Sequence, residues 1–332
     1  MKTSIAIKEI IDLSMKVLQK YGVSTKDAKI VIDHLLGNEL SGQPSHGFYK
    51  ILGIVRAIQE TGDPNQITLE KETNNSVLIN GGKHLGLVVV SRAIESIIEK
   101  LGVVPLVMVG GYNYTGTTGT MGYFTRRIAE NGYIGIMMAN SDPCIPAWGG
   151  IQPIFGTNPF SVSFPSIDDP IVVDFAASKW SWGDLAIAIK EDRKIPEGIV
   201  LDKSGNPSTD PNDASNCMLP FGEHKGYCLA LVVELLAGPL VQAKAGTKPF
   251  SGSDGFIVIG INPDIFTPTN QFKMNTSKLI EEIKTSKRLP GVEELYYPGE
   301  RSNRVRIENK KLTHITMVSQ ILDEIRALTA NS

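Results

Sequence analysis

The sequence predicts an α/β fold in which helices pack on a sheet, and three observations lead there. Six short apolar runs read as strands: 76–81, 105–111, 133–140, 159–165, 170–176 and 254–262. Helical-period stretches lie between them at 87–101, 121–131 and 222–243, with a more polar helix near 275–287. The composition of the 332 residues, 42% hydrophobic and 20% charged with Gly 32, is that of an ordinary globular protein, which excludes disorder, collagen and coiled coil. Several of the runs are apolar enough to be buried on both faces of the sheet.

The elements follow in chain order. Ile5, Ile10, Ile11, Leu13, Val17 and Leu18 form one apolar stripe and Ala28, Val31, Ile32, Leu35 and Leu36 a second, so two amphipathic helices joined near Gly22 are predicted. Ser24 with Asp27 three residues on is the capping signal of the second. Gly42, Pro44 and Gly47 then break the helical pattern and leave Ser45 and His46 on an irregular segment before the apolar run Ile51 to Ile58. At the far end, Leu312 to Leu328 reads as a final amphipathic helix with Ile315, Val318, Ile321, Leu322 and Ile325 on one side, expected to pack near the N-terminal helices.

Charge and cysteine content exclude several classes. Lys+Arg 33 against Asp+Glu 35 gives a net charge of -2 and no broad positive field, so no nucleic-acid partner is predicted. Cys144, Cys217 and Cys228 include no CxxC pair, which predicts neither a disulfide framework nor a thiolate metal site. Charged residues interrupt the N-terminal helix and no unbroken apolar run reaches membrane length, so the expectation is a cytoplasmic protein without a membrane partner.

Four segments carry the residue types that chemistry needs. GTTGTMG (116–122) is a glycine-rich loop feeding a helix, where backbone N–H groups can hold an anion. Its GxxGxxG spacing is not the GxGxxG dinucleotide fingerprint, and no acidic residue follows at the right distance. Thr157 and Asn158 precede one strand, and Asp174, Ser178 and Ser181 lie at or just after the end of the next. His224 and Lys225 open a long apolar helix, a place for a phosphate or carboxylate. YYPGERSNR (296–304) reads as a loop bearing Glu300, Arg301 and Arg304. Of the five histidines, His34, His84 and His314 fit surface or packing roles, while His46, between Ser45 and Gly47 with Lys50 following, is the acid–base candidate.

Taken in order, SHG (45–47), GYIGIMMANS (132–141), PAWGG (146–150), GTNPFSVSFP (156–165), IVVDFAAS (171–178), LPFGEHKGYCLALVVELLAGPL (219–240) and PGER (298–301) resemble the type 2 malate/L-lactate dehydrogenases, nearly end to end. That family also contains ureidoglycolate, sulfolactate, diketogulonate and piperideine-2-carboxylate oxidoreductases. The resemblance implies a non-Rossmann, sulfolactate-dehydrogenase-like mixed sheet with flanking helices. It implies a helical domain of 1–72 with 305–332 that contributes the catalytic histidine, and an α/β cofactor-binding domain of 73–304. NAD or NADP would exchange hydride with a 2-oxo acid or 2-hydroxy acid. His46 would be the proton donor, assisted by Ser45 and Lys50. Asp174, Ala176, Ala177, Ser178, Trp180, Ser181, His224, Lys225, Pro298, Gly299, Glu300 and Arg301 would surround the cofactor. Thr117, Thr157 and Asn158 would meet the substrate. A homodimer with the site between subunits is implied, and no metal.

Two departures from the family pattern fall in the substrate half. Lys50 stands where HGxxR has an arginine, exchanging a two-pronged carboxylate grip for a point charge. Gly116 and Thr117 stand where an Asn-His pair is usual. The substrate is therefore expected not to be ordinary malate or lactate. A cyclic ketimine reductase and a nucleotide-binding member without turnover are the alternatives.

Overall fold

The computed structural model describes residues 2–247 and 254–330. The chain opens with a short strand, β1 (Lys2–Ala6), and three helices, α1 (Ile7–Lys20), α2 (Thr25–Leu40) and α3 (Lys50–Thr61). Next come β2 (Thr68–Glu72), β3 (Ser76–Asn80), α4 (Gly86–Leu101), β4 (Leu106–Tyr112), α5 (Met121–Glu130) and β5 (Ile134–Ala139). An excursion follows: β6 (Ile145–Pro146), β7 (Pro153–Phe155), β8 (Phe160–Phe164), β9 (Ile171–Phe175), α6 (Trp182–Lys190), β10 (Val200–Leu201) and β11 (Pro207–Ser208). The remainder is α7 (His224–Ala237), β12 (Phe256–Ile261), α8 (Thr269–Thr285), α9 (Glu300–Asn309), β13 (His314–Val318) and α10 (Ser319–Ala330).

All six predicted strands are present, and they build one sheet of seven in the order β2-β3-β4-β12-β5-β8-β9. Only β3 and β4 run parallel, joined through α4; every other neighbouring pair is antiparallel. The sheet is therefore mixed. Its centre is buried on both faces, as the apolar runs required. Val107, Val109, Met137, Phe256 and Val258 enter the large core beneath α4 and α5, while Met138 and Ile257 face α7 with Val233, Ala237 and Val241. The large core continues without a break into Ile10, Val17, Leu18, Val31 and Leu35 of α1 and α2 and Leu322 and Ile325 of α10. A separate small core of Cys144, Phe155, Leu185, Ile195, Val200 and Met218 supports the excursion that carries α6.

Ser24 caps α2 as its spacing predicted: its Oγ accepts from Asp27 N–H at 3.1 Å and donates to the Asp27 carboxylate at 2.8 Å. Two other expectations are corrected. The C-terminal stretch is not one helix: Ile315 and Met317 point inward in β13, which pairs antiparallel with β1, and the helix begins at Ser319. Apolar residues at 315, 318, 321, 322 and 325 satisfy a helical period, but the alternation of 315 and 317 satisfies period two, and pairing with β1 decides between them. The segment 296–304 is not all loop, since α9 starts at Glu300. Judged by mean hydropathy rather than unbroken apolar runs, His224–Val241 is long and apolar enough for a membrane span, but here α7 packs on β5 and β12 and is partly buried.

Phe256 sits where three of these features meet, fully buried at the centre of the sheet and opposite Gly111 in the register. Replacing it with alanine is expected to cost about 3–5 kcal/mol, read as a lower urea midpoint with an unchanged slope.

Candidate active site

Antiparallel pairing brings different strand termini to one edge: the C-terminal ends of β4, β5 and β9 with the N-terminal ends of β8 and β12. A cavity of about 460 Å³ lies there, roofed by the Pro44–His46 turn and by the first turn of α6. Ser45, His46 and Lys50 line it from the roof, Thr117 from the glycine-rich loop, and Thr157, Asp174, Ala176 and Ser181 from the strand ends. These eight residues, scattered over the first 181 positions, are brought together by the fold.

The turn bearing His46 is held from both sides. Phe48 N–H donates to the Glu39 carboxylate of α2 at 3.2 Å, and burial raises that carboxyl to about 7 against the effect of this bond. Gly183 at the start of α6 lies on the Ser45 backbone, where an added Cβ would approach the Ser45 carbonyl oxygen to 3.0 Å. Ser45 Oγ and His46 Nδ1 are hydrogen-bonded at 3.2 Å, which leaves Nε2 as the free ring nitrogen. Burial first, and the Lys50 ammonium second, push His46 down to about 4, while Asp184 opposes them. Burial also lowers Lys50, again against the pull of Asp184. Asp184 is thus the counter-charge of the site. It is fixed by a capping exchange with Ser181, whose Oγ accepts from Asp184 N–H at 3.1 Å and donates to the Asp184 carboxylate at 2.8 Å.

Asp174 accepts from Gly122 N–H at 2.8 Å, which ties the end of β9 to the first turn of α5. Its side chain is open to the cavity yet ringed by protein, and this desolvation lifts the carboxyl to about 7 against the Gly122 bond. The glycine loop itself rests on His34. That imidazole is buried between Tyr123 and Phe124, accepts from Thr120 N–H through Nε2 at 3.2 Å, and is forced down to about 3, chiefly by burial. Gly119, at φ +75°, passes so close that a Cβ would meet Nε2 at 2.3 Å.

The other expected residues occupy different places. Asn158 is fully buried below the cavity, its Nδ2 donating to Ala230 C=O at 2.8 Å and to Glu234 at 2.7 Å. Ala177 and Ser178 lie behind the strand end, where Ala177 N–H reaches Thr157 C=O and Ser178 Oγ donates to Trp180 C=O; the Trp180 ring faces Arg193. His224 and Lys225 stand outside the cavity on α7, His224 edge-on to Trp148. Pro298 C=O accepts from Val172 N–H and Gly299 begins α9; Glu300 turns into ion pairs with Lys284 and Arg304, and Arg301 stacks on Tyr296.

Asn140, Ser141, Trp182 and Asp184 were not singled out in the sequence. Asn140 ends the strand-like run 133–140 and Ser141 follows it, and the Ser181-x-x-Asp184 spacing was the available signal for the last. Thr117, Thr118, Asn140, Ser141 and Trp182 open onto a second cavity of about 690 Å³, and Gln43, Thr120 and Asp174 onto a third of about 300 Å³. The three form a trough along the strand ends. Thr120 Oγ1 and Asn303 Nδ2, from residues along it, are buried without hydrogen-bond partners.

The malate/L-lactate dehydrogenase family model matches residues 5–326. A malate/(S)-sulfolactate dehydrogenase of Methanothermus fervidus is 35% identical over 326 residues, covering 95% of this chain and 94% of its own. A (2R)-3-sulfolactate dehydrogenase (NADP(+)) of Chromohalobacter salexigens is 30% identical over 98% of both chains. The solved structure of sulfolactate dehydrogenase from Methanocaldococcus jannaschii superposes with a TM-score of 0.88 at 31% identity, covering 99% of this chain and 97% of that one.

His34 must be neutral to accept from Thr120, so its folded value lies below the ordinary one and its contribution to stability is complete above about pH 6.5, fading as pH falls toward 3. The melting-temperature gap between the native chain and His34→Leu is therefore expected to shrink across that interval, with Glu39 and Asp174 common to both proteins.

From fold, site and relatives together, this chain belongs to the malate/L-lactate dehydrogenase family and is an NAD(P)-dependent oxidoreductase acting on hydroxy acids.

Proposed function

We propose that the chain interconverts a 2-hydroxy acid and its 2-oxo acid, with His46 moving the proton and Lys50 holding the substrate carboxylate. The observation that carries this reading is the single cavity in which His46, Ser45, Lys50, Asp184 and Thr157 converge. When bound, NAD or NADP accepts or supplies the hydride. Asp174, Ala176 and Gly299 line the trough and are assigned to holding it, together with the backbone of the glycine loop.

His46 rests neutral at physiological pH, with its protonated form disfavoured by burial and by Lys50. In the oxidative direction it is therefore ready to take the hydroxyl proton through Nε2, while Ser45 on Nδ1 fixes the ring. A carboxylate placed against Lys50 offsets the Lys50 contribution to the low His46 value, the smaller of its two causes. Substrate binding thus raises the imidazole's affinity for the proton it must accept, and in reverse allows a charged imidazolium to neutralise the developing oxyanion. Lys50 has no fork for bidentate recognition, so orientation of the carboxylate rests on its neighbours Thr157, Asn140 and Ser141.

The homodimer is proposed from α7. Cys228, Leu231, Val232 and Leu235 recur at helical spacing and are exposed, a stripe suited to a second copy of the same surface. Leu235→Asp is expected to shift the species seen by light scattering from dimer to monomer; an unchanged mass would reject this face.

His46→Ala is expected to lower kcat roughly a hundredfold or more while nucleotide binding persists. Oxidation should lose kcat/KM only as acid approaches the His46 value of about 4, and reduction should lose it as pH rises above that value. Wild-type turnover in the variant would remove His46 from the mechanism, and nucleotide binding with no turnover in the native chain on any 2-oxo acid or cyclic imine would favour a non-catalytic member.

A further inference from the structure

Glu234 lies on the inner face of α7 and is only 4% exposed. A carboxyl group taken out of water in this way needs hydrogen-bond donors, and three separate segments supply them. Asn158 Nδ2, in the turn before β8, donates to Oε2 at 2.7 Å. Gly246 N–H donates to Oε1 at 2.8 Å, and Asn140 Nδ2, just past the end of β5, makes a longer contact with the same oxygen at 3.4 Å. One side chain of α7 therefore ties together two of the strand ends that meet at the reaction cavity.

Both asparagines are committed to this framework. Asn140 Nδ2 also donates to Lys244 C=O at 2.7 Å, and its Oδ1 accepts from Gly255 N–H at 2.7 Å. Asn158 is fully buried, donates as well to Ala230 C=O at 2.8 Å, and holds a left-handed backbone at φ +41° that an L side chain adopts only when its surroundings enforce it. Their chain neighbours face the other way. Ser141 follows Asn140 and Thr157 precedes Asn158, and both line the cavity that contains His46 and Lys50. The two hydroxyls lie 3.3 Å apart, and Ser141 Oγ accepts from Thr157 N–H at 3.1 Å.

Resting on the 2-oxo acid reading above, we propose that Glu234 is a positioning residue for the reaction. By fixing Asn140 and Asn158 from beneath, it sets the Ser141 and Thr157 hydroxyl pair that orients the substrate carboxylate beside Lys50. A lysine attracts a carboxylate without giving it a direction, so the direction must come from neighbouring hydroxyls. Those hydroxyls stand on two different loops, and the buried acid is the side chain that both loops share. An acid suits this place because both of its oxygens accept. A glutamine would turn an NH2 group toward a donor whichever way it was rotated.

The test compares the full chain with Glu234→Gln and with Asn158→Gly, which removes the amide while suiting the backbone at that position. Leu18→Ala, in the large core on α1, is the destabilised control. In both site variants the KM for the 2-oxo acid and the Kd of oxamate, its unreactive isostere, are expected to rise about ten- to hundredfold. kcat should change less than KM, and NADH affinity should hold. Thr157 N–H should exchange with solvent faster in both, because its bond to Ser141 loosens. Leu18→Ala should lower the urea midpoint yet keep native KM and oxamate affinity, which separates positioning from general loss of stability. Native-like KM and oxamate affinity in two folded site variants would overturn the role of Glu234 and leave the substrate reading intact. A native chain that binds neither oxamate nor any 2-oxo acid would instead remove the substrate carboxylate from this cavity and overturn both.

Discussion

The site depends on one junction, the contact between the helical layer and the glycine-rich loop, and a neutral imidazole makes it. His34 belongs to α2, and its Nε2 accepts from the loop at Thr120. Five residues later on the same helix, Glu39 accepts from Phe48 and so anchors the turn that carries His46. One helix therefore positions both the turn that bears His46 and the loop facing it. Burial acts on the two acceptors in different ways: it keeps His34 neutral and so able to accept, while it penalises the Glu39 carboxylate, which the Phe48 bond partly offsets. Tyr123 and Phe124 provide that burial around His34.

The mixed sheet explains why so many separated residues reach one edge. With β12 inserted antiparallel between β4 and β5, the loops after β4 and β5 and the loop before β12 all emerge on the same side. The β8–β9 hairpin adds Thr157 and Asp174 to that edge. A wholly parallel sheet would reach such an edge only through strand C-termini, and its phosphate site would come from a glycine fingerprint. Here the glycine loop contacts a histidine and a carboxylate instead, and the cationic groups sit on α5 and α9.

Charge is distributed unevenly along the trough. Around His46 a lysine and an aspartate oppose each other, so the imidazole's proton affinity responds to whatever binds Lys50. Around α9, Arg126 and Arg306 share Asp169, and Arg126 also faces Glu130.

By itself the sequence determined the α/β class, the six central strands, the capped second helix and the candidacy of His46, because each is written in local periodicity or in a residue type suited to one task. Ser45, Lys50, Asp174 and Thr157 were legible for the same reason, through motifs that keep their spacing. Tertiary structure decided the rest. Whether 314–318 is strand or helix turns on pairing with β1, a partner more than three hundred residues away. Asn158 reads as a strand-end polar residue, yet its amide is consumed by Glu234 of α7, and Glu300 and Arg304 are consumed by each other. Asp184 becomes the counter-charge to Lys50 and His46 only through what the fold sets beside it. Hydrogen-bond capacity and charge belong to the residue, but whether they remain available is settled by long-range neighbours, and those exist only once the chain has closed.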